Sequence, residues 1–249
     1  MTSTVRFRSA LAVLALGSVT LSGAAPDPGT ISLFDGKDLS AWTVPEGDNG
    51  HWKVEGGVID YDAKSEAKGD KNLVSKREFG DFMLSIDWRL KETPFINANV
   101  PYVLPDGTHA RGVDGKDLKL ALPDSDSGVY LRDMKGKSQV NMWCWPIGSG
   151  EVYGYRMDKE MPASVRAGVT PKHQADKPVG EWNHFDITLK GDRLTVVLNG
   201  TPVIENAELP GIPAKGPIAL QHHGSFRDGK FVGPPSLVQF RNIAIKPLN

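Results

Sequence analysis

The sequence has 249 residues, of which 24% are charged and 39% hydrophobic, and its formal net charge is -1. This balance excludes the basic surface that binding to nucleic acid or to an anionic membrane requires, so a small or uncharged partner is expected. The chain is long enough for one large hydrophobic core.

The first 24 residues have the pattern of a secretory signal peptide. Arg6 and Arg8 precede the apolar run 10–16, and Ser22-Gly23-Ala24 provides small residues for cleavage. The alternative, a membrane anchor, is disfavoured because the apolar run is too short to span a bilayer. Removal of this segment would change the net charge from -1 to -3. Residues 25–249 are predicted to form a single domain.

Cys144 is the only cysteine, so an exported chain would contain no internal disulfide. Its position within an aromatic strand predicts a buried, inert thiol rather than a nucleophile.

Short alternating segments separated by glycine turns follow along the chain. Residues 51–55 and 58–61 flank Gly56-Gly57 as a hairpin, 73–76 form a short strand, and 82–90 alternate strictly between apolar and polar. Residues 91–126 lose this periodicity and are rich in proline, glycine and aspartate, which predicts an irregular insertion bordering a site.

The alternation resumes after this insertion. Strands are predicted at 128–132, 138–145, 151–156, 218–223 and 238–246, with a second irregular stretch at 157–178. Residues 182–200 form the clearest hairpin, with its turn at Gly191-Asp192, and a further strand at 201–204. Eleven or twelve short strands without a convincing amphipathic helix predict an all-β fold, an antiparallel β-sandwich or jelly roll.

Strand parity predicts one polar sheet face. If the apolar residues of each strand face the core, the opposite face gathers Asp87, Tyr130, Arg132, Gln139, Asn141, Trp143, Trp145, Gln221 and His223. Amide and guanidinium groups bind hydroxyls directionally, and indole rings cover the C–H face of a sugar, so a carbohydrate ligand is predicted. The alternative is that these positions are simply solvated.

Two residues are candidates for a general base. Consecutive residues of a strand face opposite sides, so only one of His222 and His223 can reach this face, and His223 is preferred. Glu151, between glycine and the start of a strand, is the candidate exposed carboxylate. A divalent cation is a further possibility, held by carboxylates of the irregular insertion: Asp106, Asp114, Asp117, Asp124 and Asp126.

The order of several sequence blocks resembles the 3-keto-disaccharide hydrolase domain family over about residues 31–248. The blocks are LFDGKDLSAW, WKVEGGVI, EFGDFMLSIDWR, SGVYLR, GEVYGY, WNHFDITLKGDRLTVVLNG, GPIALQHHG and VQFRNIAIKPL. The resemblance implies a concanavalin-like jelly roll in a secreted or periplasmic bacterial enzyme. Its substrates would be glycosides whose C3 has been oxidised to a ketone by a separate oxidoreductase.

The matching blocks also imply site residues. Asp87 and Arg89 fall in the Asp-Trp-Arg block, residues 127–132 in the Ser-Gly-x-x-Leu-Arg block, and Gln221 and His223 in the Leu-Gln-x-His-Gly block. Glu151 or His223 would be the base, and Arg132 or a metal would face the ketone oxygen. Trp143 or Trp145 would support the sugar, with Tyr153 among the binding residues.

Departures from the family pattern keep other functions open. Gln139, Asn141 and Cys144 stand where many relatives have Glu, Gln and Asp, and Asp126-Ser127-Gly128 replaces Asn-Ser-Gly. A lectin-like module that binds sugar without cleaving it is therefore the main alternative. An endoglucanase on the same fold is less favoured, because no strand carries the closely spaced acids of a retaining enzyme.

Overall fold

The computed structural model describes residues 28–134 and 137–248 of the chain. The signal peptide predicted at residues 1–24 lies outside the described residues and stays a prediction. Neither helix in the described part of the chain has the length and apolar character needed to cross a membrane.

Eight strands form the larger of two antiparallel sheets. They are β1 (Ile31–Phe34), β3 (Lys53–Glu55), β4 (Val58–Asp62), β6 (Phe82–Leu90), β11 (Asn183–Lys190), β12 (Arg193–Leu198), β13 (Thr201–Glu208) and β17 (Leu237–Pro247). Their order is β13-β12-β11-β6-β17-β4-β3, with β1 paired to β17. Both hairpins predicted from the sequence, around Gly56-Gly57 and Gly191-Asp192, are confirmed.

Five strands form the second sheet, which carries the candidate site. They are β2 (Trp42–Thr43), β5 (Leu73–Phe79), β9 (Asp126–Leu131), β10 (Gln139–Trp143) and β14 (Gly216–Leu220). The order is β10-β9-β14-β5-β2, and each pair is antiparallel. Non-adjacent segments of the sequence are therefore brought side by side.

The hydrophobic core lies between the two sheets. Phe82, Leu84 and Ile86 of the larger sheet belong to the same buried cluster as Val129 and Val140 of the smaller one. The alternating residues of each strand therefore face outward, which is the arrangement of a β-sandwich. The all-β antiparallel prediction is confirmed.

Two regions differ from the sequence prediction. The irregular insertion contains a two-stranded ribbon, β7 (Phe95–Pro101) with β8 (Lys119–Asp124), and a second ribbon joins β15 (Ser225–Arg227) to β16 (Lys230–Val232). The strand predicted at 151–156 is wrong, because α1 (Tyr153–Met157) begins there, and α2 (Ala163–Gly168) follows within the second irregular stretch. Helices this short have no periodic signal, and packing against neighbouring strands maintains them.

Candidate functional site

A cavity of about 290 Å³ lies on the outer face of the five-stranded sheet. Its lining comprises Asn97, Asp126, Gln139, Asn141, Trp143, Trp145, Tyr153, Gln221, His223 and Pro234. We call it the sheet-face cavity. Its volume is at the lower limit of small-molecule sites, and its mixture of aromatic and polar side chains is typical of them.

The strand register explains why these residues meet. Asn141 is opposite Gly128, and Trp143 is opposite Asp126, so side chains of β9 and β10 alternate onto the same face. The bond from Gln221 N to Gly128 O continues the register onto the segment after β14. The parity prediction for Gln139, Asn141, Trp143, Gln221 and His223 therefore placed them on the correct face.

Gly128 allows amide side chains to cross the sheet. A β-carbon there would overlap the Gln139 side-chain amide and lie 2.7 Å from the Val140 carbonyl oxygen. In the space that this glycine leaves, Gln139 Nε2 donates to Gln221 Oε1, and Gln221 Nε2 donates to the Tyr130 hydroxyl at 3.2 Å. Tyr130 therefore accepts a hydrogen bond from Gln221 and does not itself line the cavity, unlike the binding role predicted from the sequence.

Asp126 supplies the one carboxyl group of the cavity lining and His223 its one imidazole. His223 Nε2 lies 3.8 Å from Asp126 Oδ2, and His223 Nδ1 lies 2.6 Å from the Pro234 carbonyl oxygen. Because a carbonyl can only accept, Nδ1 carries the proton that it shares with Pro234. In the neutral imidazole the lone pair is therefore on Nε2, facing Asp126.

The surroundings of Asp126 favour its protonated form. Burial raises the pKa of Asp126 to about 7, an effect that the positive charge of His223 opposes and the nearby Asp124 carboxylate reinforces. Its Oδ1 atom is buried and has no hydrogen-bond partner among the described residues. Asn141 Oδ1 is likewise buried and has no hydrogen-bond partner among the described residues. Unpartnered buried oxygens are costly, so both are available to a bound ligand.

Aromatic rings form one wall of the cavity. Trp143 and Trp145 stack with centroids 4.0 Å apart, and the Tyr153 ring meets both edge-on. Trp143 is 3% exposed and donates from Nε1 to the Gly148 carbonyl oxygen. Since Trp145 covers it, Trp145 and Tyr153 offer the more accessible rings to a sugar.

Glu151 is not the exposed carboxylate that the sequence predicted. It is fully buried and accepts from Arg156 Nε at 2.5 Å. Its Oε2 has no hydrogen-bond partner among the described residues, and burial raises the pKa of this carboxyl group. Glu151 lies at the edge of β10, where its backbone oxygen accepts from Asn141 N, but it does not line the cavity.

Arg132 is also away from the cavity, which corrects its predicted role. β9 ends at Leu131, and Arg132 adopts a φ of +60°, so the alternation of the strand does not extend to it. Its buried guanidinium donates to the carbonyl oxygens of Gly80 and Gly191 and to Asp81. Arg132 therefore ties turns together at the opposite end of β9.

Asp87 and Arg89 belong to the outer face of the other sheet, so the place predicted for Asp87 beside the amides is wrong, and Arg89, implied as a site residue by the family block, lies away from the cavity as well. Asp87 contacts His184 Nδ1 at 2.6 Å and Arg241 Nε at 3.1 Å, all within the eight-stranded sheet. Arg89 donates to Gln239 and lies over the Trp182 ring. The alternation of a strand predicts which of its residues face the core and which face outward. It does not predict which of the two sheets the strand joins.

The loop aspartates do not converge on a cation site. Asp106 accepts from Thr108, Asp117 contacts His109, and Asp124 accepts from Asn97. Within residues 28–134 and 137–248, no group of three or more His, Cys, Asp or Glu side chains is arranged to hold a metal ion.

Cys144 is half-buried and packs against the hydrophobic core. Burial raises the pKa of its thiol to about 12, so the group stays protonated near neutral pH. A protonated thiol is a poor nucleophile, which agrees with the inert role predicted from the sequence.

Residues 29–246 match the family described as the 3-keto-alpha-glucoside-1,2-lyase-like domain. The chain belongs to this family. The match covers both sheets except the last residue of β17 and includes the whole sheet-face cavity. The resemblance stated from the sequence blocks is therefore confirmed, and membership indicates a protein that acts on or binds carbohydrate.

Solved structures support the fold of this family member. One candidate glycosyl hydrolase from Parabacteroides distasonis ATCC 8503 is 24% identical, with a TM-score of 0.58 over 89% of this chain and 84% of that one. A second from the same organism is 19% identical, with a TM-score of 0.54 over 89% and 95% of the two chains. No curated protein matches the sequence.

Proposed function

We propose that this protein cleaves glycosides whose sugar ring carries a ketone at C3, by elimination followed by addition of water. The observation that carries the proposal is the facing pair of His223 and Asp126 on a cavity lined by amides and indoles. The family to which the chain belongs, with its lyase-like description, supports the same chemistry.

A ketone at C3 acidifies the proton on C2, so one base can begin the reaction. Removal of that proton gives an enolate, whose electron pair forms the C1–C2 double bond as the bond from C1 to the aglycone oxygen breaks. The leaving oxygen takes a proton from a general acid. Water then adds across the double bond, with hydroxyl at C1 and hydrogen at C2, which gives overall hydrolysis.

His223 is the base in this proposal. Its Nδ1 is held by the Pro234 carbonyl oxygen, which orients the ring and leaves the Nε2 lone pair on the cavity side. A base held in one tautomer loses little entropy in reaching the proton that it abstracts. The Pro234 contact acts here as an orienting hydrogen bond.

Asp126 is the acid. A carboxyl group with a pKa of about 7 is protonated in a large fraction of molecules at neutral pH, unlike an ordinary aspartate. It faces His223 at 3.8 Å, too far for a direct hydrogen bond but close enough for both groups to contact one sugar ring. The two groups then have separate proton-transfer roles.

The rest of the cavity binds the sugar. The Asn141 amide, whose side-chain oxygen has no partner in the described structure, would donate from its nitrogen to the C3 oxygen and stabilise the enolate. Trp145 and Tyr153 would cover the C–H face of the ring. A hydrogen bond from the Asn141 amide to the C3 oxygen strengthens as negative charge develops on that oxygen in the enolate. Loss of activity on substitution of Asn141 would support this role.

The experiment compares a 3-keto-glucoside with its unoxidised parent. The purified protein is incubated with each, and products are followed by NMR. Turnover of the keto compound alone supports the proposal. Binding of either sugar without product would instead support the lectin-like alternative, and hydrolysis of both at similar rates would indicate an ordinary glycosidase.

A further inference from the structure

A second cavity, of about 410 Å³, lies where the turn at residues 104–108 packs against the two helices. We call it the basic pocket. Its lining comprises Gly107, Thr108, His109, Arg111, Asp117, Arg156, Met157, Lys159 and Arg166. The proposed reaction uses none of these side chains.

The pocket has an excess of positive charge. Four of the lining residues are cationic, namely Arg111, Arg156, Lys159 and Arg166, and Asp117 is the single carboxylate of the lining. Asp117 is engaged by Arg111 at 3.2 Å and by His109 at 2.9 Å. Within the described residues Lys159 and Arg166 have no ion-pair partner, so their charges are not neutralised by the protein.

Two guanidinium nitrogens at this pocket have no acceptor. Arg156 Nη2 and Arg166 Nε are buried, and neither makes a hydrogen bond within the described part of the chain. Arg156 as a whole is 3% exposed. Leaving a charged donor buried and unpaired is costly, so these atoms indicate a missing acceptor.

Arg156 is held in place by its other nitrogens. Its Nε contacts Glu151, and its Nη1 donates to His109 Nε2 at 3.0 Å. Because a guanidinium has no acceptor, His109 Nε2 is the acceptor, and His109 Nδ1–H donates to Asp117. The contacts fix the guanidinium plane, which is the preorganisation that bidentate recognition of an oxyanion requires.

The same arginine is next to the sheet-face cavity. The Arg156 guanidinium carbon lies 5.5 Å from the centroid of the Tyr153 ring, and Tyr153 lines that cavity. A ligand on Arg156 would therefore lie one side chain away from a sugar bound there.

We propose that the basic pocket binds an oxyanion of the phosphate or sulfate type, with Arg156, Arg166 and Lys159 as its ligands. The anion supplies the acceptors that the two buried nitrogens lack and neutralises the excess charge. It is either a free ion or a group carried by the aglycone of a substrate.

Calorimetric titration with inorganic phosphate tests the site directly. The unaltered protein is expected to bind saturably, and Lys159→Gln with Arg166→Gln is expected to bind at least about tenfold more weakly, since two charged donors are lost. The matched control is Lys76→Gln with Lys190→Gln, two exposed lysines outside the pocket. Circular dichroism and thermal unfolding establish that each variant is folded.

We call the protein with Lys159→Gln and Arg166→Gln the pocket variant. Two outcomes would overturn the proposal: phosphate does not bind saturably to the unaltered protein, or its affinity falls equally in the pocket variant and in the control. Equal weakening would mean that only the net charge matters. The titration requires no turnover, so its failure is distinguishable from failure of the proposed activity.

Kinetic measurements distinguish a free anion from an anionic group on the substrate. This second experiment rests on the proposed function. If the group belongs to the substrate, the pocket variant lowers kcat/KM for a sulfated 3-keto-glucoside and leaves the neutral one unchanged. If the anion is free, phosphate changes turnover of the neutral substrate in the unaltered protein but not in the variant. Absence of both effects would contradict a link between the basic pocket and catalysis.

Discussion

At the scale of single residues, the assignment depends on Asp126, which sequence reasoning considered only as a cation ligand. The predicted strand began at Gly128, whereas β9 begins at Asp126, two residues earlier and on the same face. The parity of Gly128 and Tyr130, extended back by two residues, would have placed Asp126 toward the amides. Its raised pKa, in contrast, results from burial in the folded protein, which no local sequence pattern shows.

Asp126→Asn is predicted to lower kcat by about 100-fold, since general acid catalysis contributes roughly that much or more. Because the acid acts in its protonated form and its pKa in the ligand-free protein is about 7, kcat/KM should fall as the pH rises through 7. The residual activity of the variant should lack this alkaline decrease. A pH–rate profile of both proteins checks the prediction, and an unchanged alkaline limb in the variant would rule out Asp126 as the acid.

His223→Ala and Glu151→Gln are predicted to differ. His223 lines the cavity, so its loss should lower kcat/KM by about 100-fold or more. Glu151 is enclosed with Arg156, so Glu151→Gln should mainly reduce thermal stability, with a smaller effect on kcat. Parallel kinetics and thermal unfolding provide the comparison. Full activity in His223→Ala would show that the base is elsewhere.

At the scale of secondary-structure elements, the sequence predicts strands well and their partners poorly. Alternation correctly placed Phe82, Leu84 and Ile86 in the core and Gln139 and Asn141 outside it. The same alternation could not separate Asp87 from the amides, because strand order depends on contacts between distant segments. Arg132 was misplaced because it is itself left-handed, with a φ of +60°, and β9 ends at the residue before it.

Gly128→Ala tests the close crossing of the amides between β9 and β10. The new methyl group would overlap Gln139 and approach the Val140 carbonyl oxygen, so a loss of about 1–3 kcal/mol in unfolding free energy is expected, with reduced activity. Gly69→Ala is the control, since a β-carbon there meets no atom within 4 Å. Denaturant unfolding measures both variants, and equal stability would contradict this packing.

Arg132→Gln tests the alternative, structural role of this arginine. Removing a buried guanidinium that ties Gly80, Gly191 and Asp81 is expected to cost about 2–4 kcal/mol of unfolding free energy. The kcat/KM of the folded variant should remain unchanged. Arg193→Gln, at a half-exposed ion pair, should cost less than about 1 kcal/mol. A selective loss of kcat/KM at unchanged stability would return Arg132 to the catalytic site.

At the scale of the whole molecule, one sandwich presents two outer faces of different character. The outer face of the larger sheet pairs its charges, as in the contacts of Asp87 with His184 and Arg241. The outer face of the smaller sheet instead keeps buried oxygens of Asp126 and Asn141 without partners. Buried polar atoms without partners are costly on a merely solvated face, which supports the proposal that the smaller sheet carries the functional site.

The fold and the family were predictable from the order of blocks along the chain, whereas the contacts on which the proposed chemistry rests were not. The proposed role of His223 as base rests on its contact with Pro234, which joins the two ends of the segment after β14. The enclosure of Glu151 by Arg156 depends on α1, a helix too short to be recognised from its sequence. Both features arise from packing between elements.

The most direct test of proton abstraction at C2 uses a 3-keto-glucoside labelled with deuterium at that carbon. With the unaltered protein we expect slower turnover than for the unlabelled compound and loss of the label to water, while His223→Ala and an enzyme-free sample correct for background exchange. Full retention of deuterium in the released sugar, at a rate equal to that of the unlabelled substrate, would contradict the elimination.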